Sequence, residues 1–296
     1  MSVLHRIRRW VANPWGKPRF LVLFTIAYMV WAIVPILVAI RFSFNEGRSR
    51  STAQGWSTRW YWDDPDLSVW NDPTLREAVF QSLQLAAFAM LIAVPIGVLL
   101  ALGLTRWRGR GSGSARLVAL LPIVTPEIVM GTALFLTFVH LLRFVELGTT
   151  AQVIGHVTFS ISFVLIIVRG RLLSIGPEYE EAAMDLGAAP RQALRMVLLP
   201  LLAPAIFASF MIVFAISIDD FVISAFLSAD ASTETVPIKI YSNARGAPTP
   251  ALNAVATVML VVSLLAVGLA ALVVRAIQRA RGERTRTVQD FAELNV

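Results

Sequence analysis

Three acidic side chains stand within or next to long apolar stretches of the sequence: Glu127, and the adjacent pair Asp219 and Asp220. An acid against lipid costs about 2.5–3.5 kcal/mol on insertion scales, so such a residue is expected to face the protein interior or a water-filled cavity. Two adjacent carboxylates repel each other, and a bound polycation relieves that repulsion. The three acids are therefore candidates for a path that carries a cationic solute.

Aromatic side chains are suitable companions for these acids, because an aromatic face attracts an ammonium group. Segment 42–74 contains four tryptophans, which predict either an interfacial aromatic belt or a cation-binding wall: Trp56, Trp60, Trp62 and Trp70. The acids also have simpler interpretations. Glu127 is consistent with a protonated acid bonded between helices, and the acid pair is consistent with interfacial acids satisfied by water.

Several kinds of chemistry are excluded by composition. Cysteine is absent, so the chain has no disulfide, zinc thiolate, iron–sulfur cluster or cysteine nucleophile. The three histidines are scattered, and no metal site is expected on them. A phosphate-binding P-loop needs a Gly-Lys-Ser/Thr sequence, and neither Lys17 nor Lys239 stands in one. ATP hydrolysis is therefore not expected in this chain.

A second pattern lies in the segment between residues 169 and 199. Pro177 suits the first turn of a helix, and the three glutamates that follow favour its positive N-terminal end. Gly187 suits the left-handed position that ends a helix, and Pro190 suits the start of another. We predict a helix, a tight glycine turn and a second helix, which is a unit stiff enough to transmit force. The alternative is an amphipathic hairpin on the membrane surface.

The elements that must position these residues are apolar helices. The chain of 296 residues is 56% hydrophobic and only 15% charged, whereas a soluble domain carries about 25% charged residues. Six blocks each approach the ~20 residues that cross the hydrocarbon core: 20–40, 83–104, 117–139, 149–168, 201–218 and 251–274. We predict an all-α, polytopic membrane protein with six transmembrane helices. The outer end of the fifth helix, at 219–227, stays open.

Charge sets the orientation of the six helices. Lysine and arginine concentrate before the first block, after the sixth, and in the segments that follow the second and fourth blocks. The positive-inside rule then places both termini in the cytoplasm. Acidic residues concentrate in the opposite segments, which favours a cationic solute approaching from outside. The net charge of +7 does not indicate nucleic-acid binding, because the arginines flank apolar blocks rather than form one basic face.

These assignments divide the chain into three parts. Residues 1–19 form a cytoplasmic N-terminal segment, residues 20–274 form the transmembrane domain, and residues 275–296 form a cytoplasmic tail. The inner loop at 177–200 belongs to the transmembrane domain. The fourth block carries polar residues, which are expected to bond to neighbouring helices rather than to a solute.

The inner loop resembles the EAA loop of ABC-importer permeases, in which Glu-Ala-Ala, three residues, glycine, nine residues and Ile-x-Leu-Pro follow each other. Here the corresponding residues are Glu181-Ala182-Ala183, Gly187 and Val197-Leu198-Leu199-Pro200, with valine in place of isoleucine. The resemblance implies that this loop is a coupling helix, which docks on a separate ATP-hydrolysing subunit. By position, the docking helix contains Glu181, Ala182, Ala183 and Asp185, and Gly187 provides the turn.

Other stretches are similar to permeases of spermidine/putrescine importers of the PotC type: 59–61, 125–131, 217–223, 236–242 and 250–254. On this resemblance, Trp60 and Tyr241 join Glu127, Asp219 and Asp220 as residues of the solute path. The physical argument agrees, because a polyamine needs carboxylates for its ammonium groups and aromatic faces for its stem.

The resemblance implies a MetI-like ABC type I importer permease fold in a bacterial plasma membrane, and a chain that conducts a solute rather than catalyses a reaction. It implies a dimer of ATP-binding subunits carrying ATP and Mg, a second homologous permease and an extracytoplasmic solute-binding protein, with membrane lipid around the chain and no cofactor within it. A permease of the same class for an iron complex or an anion is the alternative, and a membrane-embedded enzyme or scaffold is a third.

Overall fold

A computed structural model describes residues 19–49, 52–245 and 249–280, and this part of the chain is helical, without strands. The helices are α1 (Arg19–Ser43), α2 (Pro73–Arg106), α3 (Ser112–Val124), α4 (Glu127–Leu136), α5 (Thr149–Ile175), α6 (Glu178–Asp185), α7 (Pro190–Ala193), α8 (Leu199–Asp219), α9 (Val222–Leu227), α10 (Val236–Arg245) and α11 (Pro250–Ala280). A π-helical turn, Thr137–Leu141, extends α4, and another, Leu194–Leu198, joins α7 to α8.

Five segments of this structure are long and apolar enough to cross a membrane as continuous helices: Phe20–Ser43, Pro73–Arg106, Thr149–Ile175, Pro190–Asp219 and Pro250–Val273. A sixth segment is broken, because α3 and the extended α4 meet at an angle of 105°. The six predicted blocks are all found in helices, and the third block is interrupted at Pro126. The residue before a proline avoids the helical conformation, and Thr125 accordingly is extended.

The structure moves the start of the second predicted block and fixes the end of the fifth, which the sequence left open. Helix α2 begins ten residues before the predicted start of the second block, because Asp72 caps it and Pro73 occupies its first turn. The Asp72 carboxylate accepts a hydrogen bond of 2.8 Å from the Thr74 N–H. The fifth transmembrane helix ends at Asp219 and is followed by the separate short helix α9.

Helices α2, α5 and α8 pack against one another and form the centre of the protein. One face of α2 is made of small residues, which let neighbouring backbones approach closely: Ala86, Ala89, Ala93, Gly97 and Ala101. A Cβ atom at Gly97 would lie 2.5 Å from the Val164 side chain of α5. Helix α1 packs on α11 at the edge of this bundle, with most of its apolar side chains exposed.

The segment between α1 and α2 folds around buried Trp60 and Asp64. The indole N–H of Trp60 donates to the Asn45 carbonyl. The Asp64 carboxylate accepts from the Leu67 N–H at 2.9 Å and from the Arg59 guanidinium at 2.8 Å. Burial acts to raise the pKa of Asp64, but these hydrogen bonds, with one from the Asp66 N–H, hold the pKa below its ordinary value of 3.8.

We expect Asp64→Asn to loosen this loop. A carboxylate whose pKa is lowered on folding stabilises the fold above its unfolded pKa, and that stabilisation is lost as the pH falls through the folded pKa. Loss of a hydrogen bond to a charged group costs about 1.5–3 kcal/mol, less here because Arg59 is partly exposed. Amide hydrogen exchange of the loop at neutral pH should therefore be faster in the variant. Exposed Asp63→Asn is the matched control, and equal exchange in both variants would contradict the prediction.

Candidate functional site

The inner loop has the predicted helix–turn–helix form. Gly187 follows α6 with φ +92°, its N–H donates to the Met184 carbonyl at 2.9 Å, and the Ala188 N–H donates to the Ala183 carbonyl at 3.0 Å. These two bonds make a Schellman motif, which ends a helix with a left-handed residue. A Cβ atom at Gly187 would meet nothing within 4 Å. The glycine is therefore required for its backbone conformation and not for space.

Helix α6 is held on one side and exposed on the other. The Glu180 carboxylate forms an ion pair with the Arg106 guanidinium at the inner end of α2. Glu181, Ala182 and Asp185 are exposed, whereas Ala183 is half-buried. Two further apolar side chains project from the unit: Tyr179 is 55% exposed and Leu186 is 91% exposed. The EAA residues thus lie on an exposed surface with an apolar part, carried by a helix that is anchored to α2.

The two adjacent acids at the end of α8 point in different directions. The Asp220 side chain is only 6% exposed and lies 3.3 Å from Nε2 of His156. Its Oδ2 atom also accepts a hydrogen bond of 2.8 Å from the Ser224 N–H, so Asp220 caps α9. Asp219 is exposed, and its carboxylate makes no hydrogen bond or ion pair with any residue in the described ranges. The pair is therefore one structural acid and one accessible acid.

His156 connects α5 to the break between α8 and α9. Its Nδ1 atom lies 2.7 Å from the Ser217 hydroxyl, and its Nε2 atom lies 2.9 Å from the Ser224 hydroxyl. The ring is 2% exposed. The polar residues of the fourth block were expected to bond to neighbouring helices, but His156 was not singled out as the partner of Asp220. The available signal was the helical spacing of Gln152 and His156, which places two polar side chains on one face of an apolar helix.

The polar face of α5 bonds to other helices, as predicted for the fourth block. Gln152 accepts from the Gln81 amide of α2 at 2.8 Å and donates to the Ser224 and Thr233 carbonyls at 3.1 and 2.9 Å. Ser162 donates to the Ala119 carbonyl of α3 at 2.8 Å. These hydrogen bonds connect the helices, and the polar groups that form them already have partners within the protein.

Tyr241 lies close to the acid pair. Its ring centre is 4.7 Å from that of Phe221, the residue that follows Asp220. Tyr241 is 46% exposed. The structure therefore places three predicted path residues in one region: Asp219, Asp220 and Tyr241.

Glu127 lies apart from the acid pair, on helix α4. It is the first residue of α4 at the break after Pro126, and it is exposed. A helix N-terminus favours a negative charge. Helix α4 packs on α9, where the Phe226 ring lies so close to Gly131 that a Cβ atom there would be 2.8 Å from it. Glu127 thus stands on the helix next to the Asp220 cap, without a contact to the acid pair in the described ranges.

The side chain of Trp60 is not exposed near Asp219 and Tyr241. It is fully buried in the loop between α1 and α2, so its ring is not a wall of an open path in this structure. The other three tryptophans of that loop are exposed by 56–70%. The difference arises because the loop folds around one indole and leaves the others on its rim. In the described residues no group of three or more histidine, aspartate or glutamate side chains converges to hold a metal ion.

Comparison with known proteins agrees with this architecture. The family model for the binding-protein-dependent transport system inner membrane component matches residues 93–280. The putrescine transport system permease protein PotI of Escherichia coli strain K12 is 33% identical, over 94% of this chain and 96% of that protein. The spermidine/putrescine transport system permease protein PotC of the same strain is 35% identical, over 85% of this chain and 92% of that protein.

Among solved structures, a bacterial alginate ABC transporter, in complex with an alginate-pentasaccharide-bound periplasmic protein, superposes with a TM-score of 0.70. The identity is 18%, and the match covers 96% of this chain and 99% of that one. An identity this low supports the fold alone, which is the predicted MetI-like importer permease fold. The broken third segment, the inner helix–turn–helix and the near full-length similarity to two permeases lead to one conclusion: the chain belongs to the family of binding-protein-dependent transport system inner membrane components, the permease subunits of ABC importers.

Proposed function

We propose that this permease conducts polyamines of the putrescine and spermidine class into the cell. The observation that carries the proposal is the accessible carboxylate of Asp219, which has no bonded partner among the described residues and stands two residues before Phe221, whose ring contacts Tyr241. A carboxylate and an aromatic face are the groups that an alkylammonium needs. The similarity to PotI, a putrescine permease, and to PotC, a spermidine/putrescine permease, supports the same solute class.

The coupling part of the proposal concerns α6. The exposed residues Glu181, Ala182 and Asp185, together with the apolar Leu186, form a surface suited to a groove on an ATP-binding subunit. The half-buried Ala183 accepts the hydrogen bond that closes the turn at Gly187. Because Glu180 is bonded to Arg106, a displacement of α6 is passed directly to α2. ATP and Mg reside on the partner subunits.

The transport cycle follows from these parts. A solute-binding protein delivers the polyamine at the outer side, where the Asp219 region and the tryptophan-rich loop lie. Closure of the ATPase dimer moves α6, and the helices of this chain and of a second homologous permease open and close the path in alternation. Glu127, at the broken third segment, is placed to meet an ammonium group deeper in the same path.

The remaining assignments stay predictions. The segments 1–19 and 275–296 lie almost entirely outside the described residues, and their cytoplasmic location rests on the positive-inside rule. The transmembrane domain at 20–274, with its coupling loop at 177–200, rests on hydropathy and the EAA spacing.

The solute is tested with the complete transporter in proteoliposomes. We expect putrescine or spermidine, together with the binding protein, to stimulate ATP hydrolysis and to be taken up into the vesicles. The physical reason is that a polycation compensates the acids of the path. Stimulation by an iron complex or an anion, with none by either polyamine, would overturn the polyamine assignment and keep the permease class. Turnover of a substrate without an ATPase partner would overturn both.

The coupling turn is tested with Gly187→Ala. A left-handed backbone costs an ordinary residue about 1–2 kcal/mol, and space around Gly187 is open, so the substitution changes only the turn. We expect transport to fall about tenfold relative to wild type. Gly170→Ala is the matched control, because Gly170 is helical and equally unobstructed. Gly187→Asn should retain most transport, since asparagine tolerates this conformation. Equal transport in Gly187→Ala and Gly170→Ala would refute the role of the turn.

The two acids are tested as a pair. Asp219→Asn should raise the KM for polyamine uptake about tenfold and leave the melting temperature unchanged, because Asp219 has no bonded partner in the described ranges. Asp220→Ala should lower the melting temperature of the purified protein, since removing one member of a buried pair costs about 3–5 kcal/mol. Thermal unfolding and initial uptake rates separate the two roles. An Asp219→Asn protein that unfolds as early as Asp220→Ala would show that both acids are structural.

A further inference from the structure

A cavity of about 590 Å³ lies between α1, α8, α10 and α11. Its walls are mainly apolar and come from all four helices: Ile36, Ile218, Ile240 and Met259. On α1 the cavity is lined from Pro35 onwards, and on α8 it is lined by the last turn before Asp219. Both of these parts lie towards the predicted outer ends of the helices. The cavity is therefore an apolar chamber in the outer part of the membrane-spanning region.

Among the described residues that line this cavity, Asp219 alone has a charged side chain. Its neighbour Asp220 is turned away and bonded to His156. The hydroxyl of Thr257, another lining residue, already donates to the Asn253 carbonyl at 2.7 Å. Asp219 is exposed and has no bonded partner among the described residues, so its carboxylate is available to a cation. The chamber thus combines an accessible carboxylate with a surface for methylene groups.

We propose that this cavity binds one end of the transported solute, with a primary ammonium on Asp219 and the aliphatic stem against Ile218, Ile240 and Met259. The inference rests on the proposed function and adds a stem site to it. One carboxylate compensates one ammonium, so the second ammonium of a diamine stays outside the chamber in a polar environment. The solute fits better than an aminophospholipid, because the phosphate of a lipid headgroup would lie close to Asp219 and be repelled.

The stem site predicts a dependence on chain length. Each methylene that leaves water for an apolar wall should strengthen binding about three- to fourfold until the chamber is filled. If the ammonium bound to a hydrated carboxylate alone, with no apolar chamber beside it, added methylenes would not strengthen binding. The affinity of n-alkylammonium ions from ethyl to hexyl therefore separates two contributions. The gain per methylene reports the apolar walls, and the affinity shared by all of these ions reports the carboxylate.

The test is inhibition of labelled putrescine uptake in proteoliposomes that contain the complete transporter. With wild-type protein, the inhibition constant should fall about three- to fourfold for each added methylene, and n-hexanol, which lacks the charge, should not inhibit. Ala256→Leu places a larger side chain in the cavity wall and should weaken inhibition by hexylammonium at least tenfold, with little change for ethylammonium. Asp219→Asn should weaken inhibition by every alkylammonium about tenfold.

Ala271→Leu is the matched control, because it makes the same change at an exposed position of α11 that does not line the cavity. It should behave as wild type. Ile240→Ala, which enlarges the chamber, should also reduce the gain per methylene and covers the case in which Ala256→Leu fails to fold. A flat chain-length dependence in a transporter that still takes up putrescine would overturn the stem site alone, and so would inhibition that follows the phosphatidylethanolamine content of the vesicles. Absence of putrescine uptake would overturn the proposed function instead.

Discussion

The hydrocarbon core of a membrane supplies no hydrogen bonds, so the backbone groups at a helix break must be satisfied by the protein or by water in a cavity. One such break, between α8 and α9, organises the polar contacts of this permease. Helix α8 stops at Asp219 and the chain restarts as α9. Asp220 caps the new helix through the Ser224 N–H. Gln152 of α5 donates to the carbonyl of Ser224, and the Gly148 N–H donates to the Leu227 carbonyl at 2.7 Å. Side chains and backbone of α5 thus replace the water that a soluble loop would use.

The hydrogen bonds at this break also separate the polar groups that have protein partners from those that stay accessible. His156 contacts Asp220 and two serine hydroxyls in one buried cluster. The low dielectric of this cluster strengthens each hydrogen bond. Asp219 is one residue outside the cluster and keeps its charge accessible. The buried acid and the exposed acid are adjacent in the sequence, yet their surroundings differ because the backbone turns between them. A cap that holds the turn therefore also sets the direction in which the free carboxylate points.

The parts predicted from sequence are those with local causes. The turn at Gly187 and the break at Pro126 follow from backbone conformations that glycine and proline impose within a few residues, and the turn was predicted. The six apolar blocks follow from the thickness of the hydrocarbon core. The pairing of His156 with Asp220 joins residues far apart in the chain, so no local pattern announced it. The burial of Trp60 depends on how an entire loop folds, and composition alone gives no reason to separate it from its neighbour Trp62.

Helix α2 connects the two ends of the molecule. Its 34 residues span roughly 51 Å at 1.5 Å per residue, from the Asp72 cap to Arg106. Arg106 is bonded to Glu180 of α6, and Gln81, about two turns from the first residue of α2, is bonded to Gln152 of α5. The small-residue face of α2 packs closely on α5, where Gly97 leaves no room for a Cβ atom against Val164, and α8 packs on both helices. Helix α2 therefore links the loop at 177–200, which we propose as the coupling loop, to the polar cluster around Asp220, and this link is the mechanical connection that the proposed transport cycle requires.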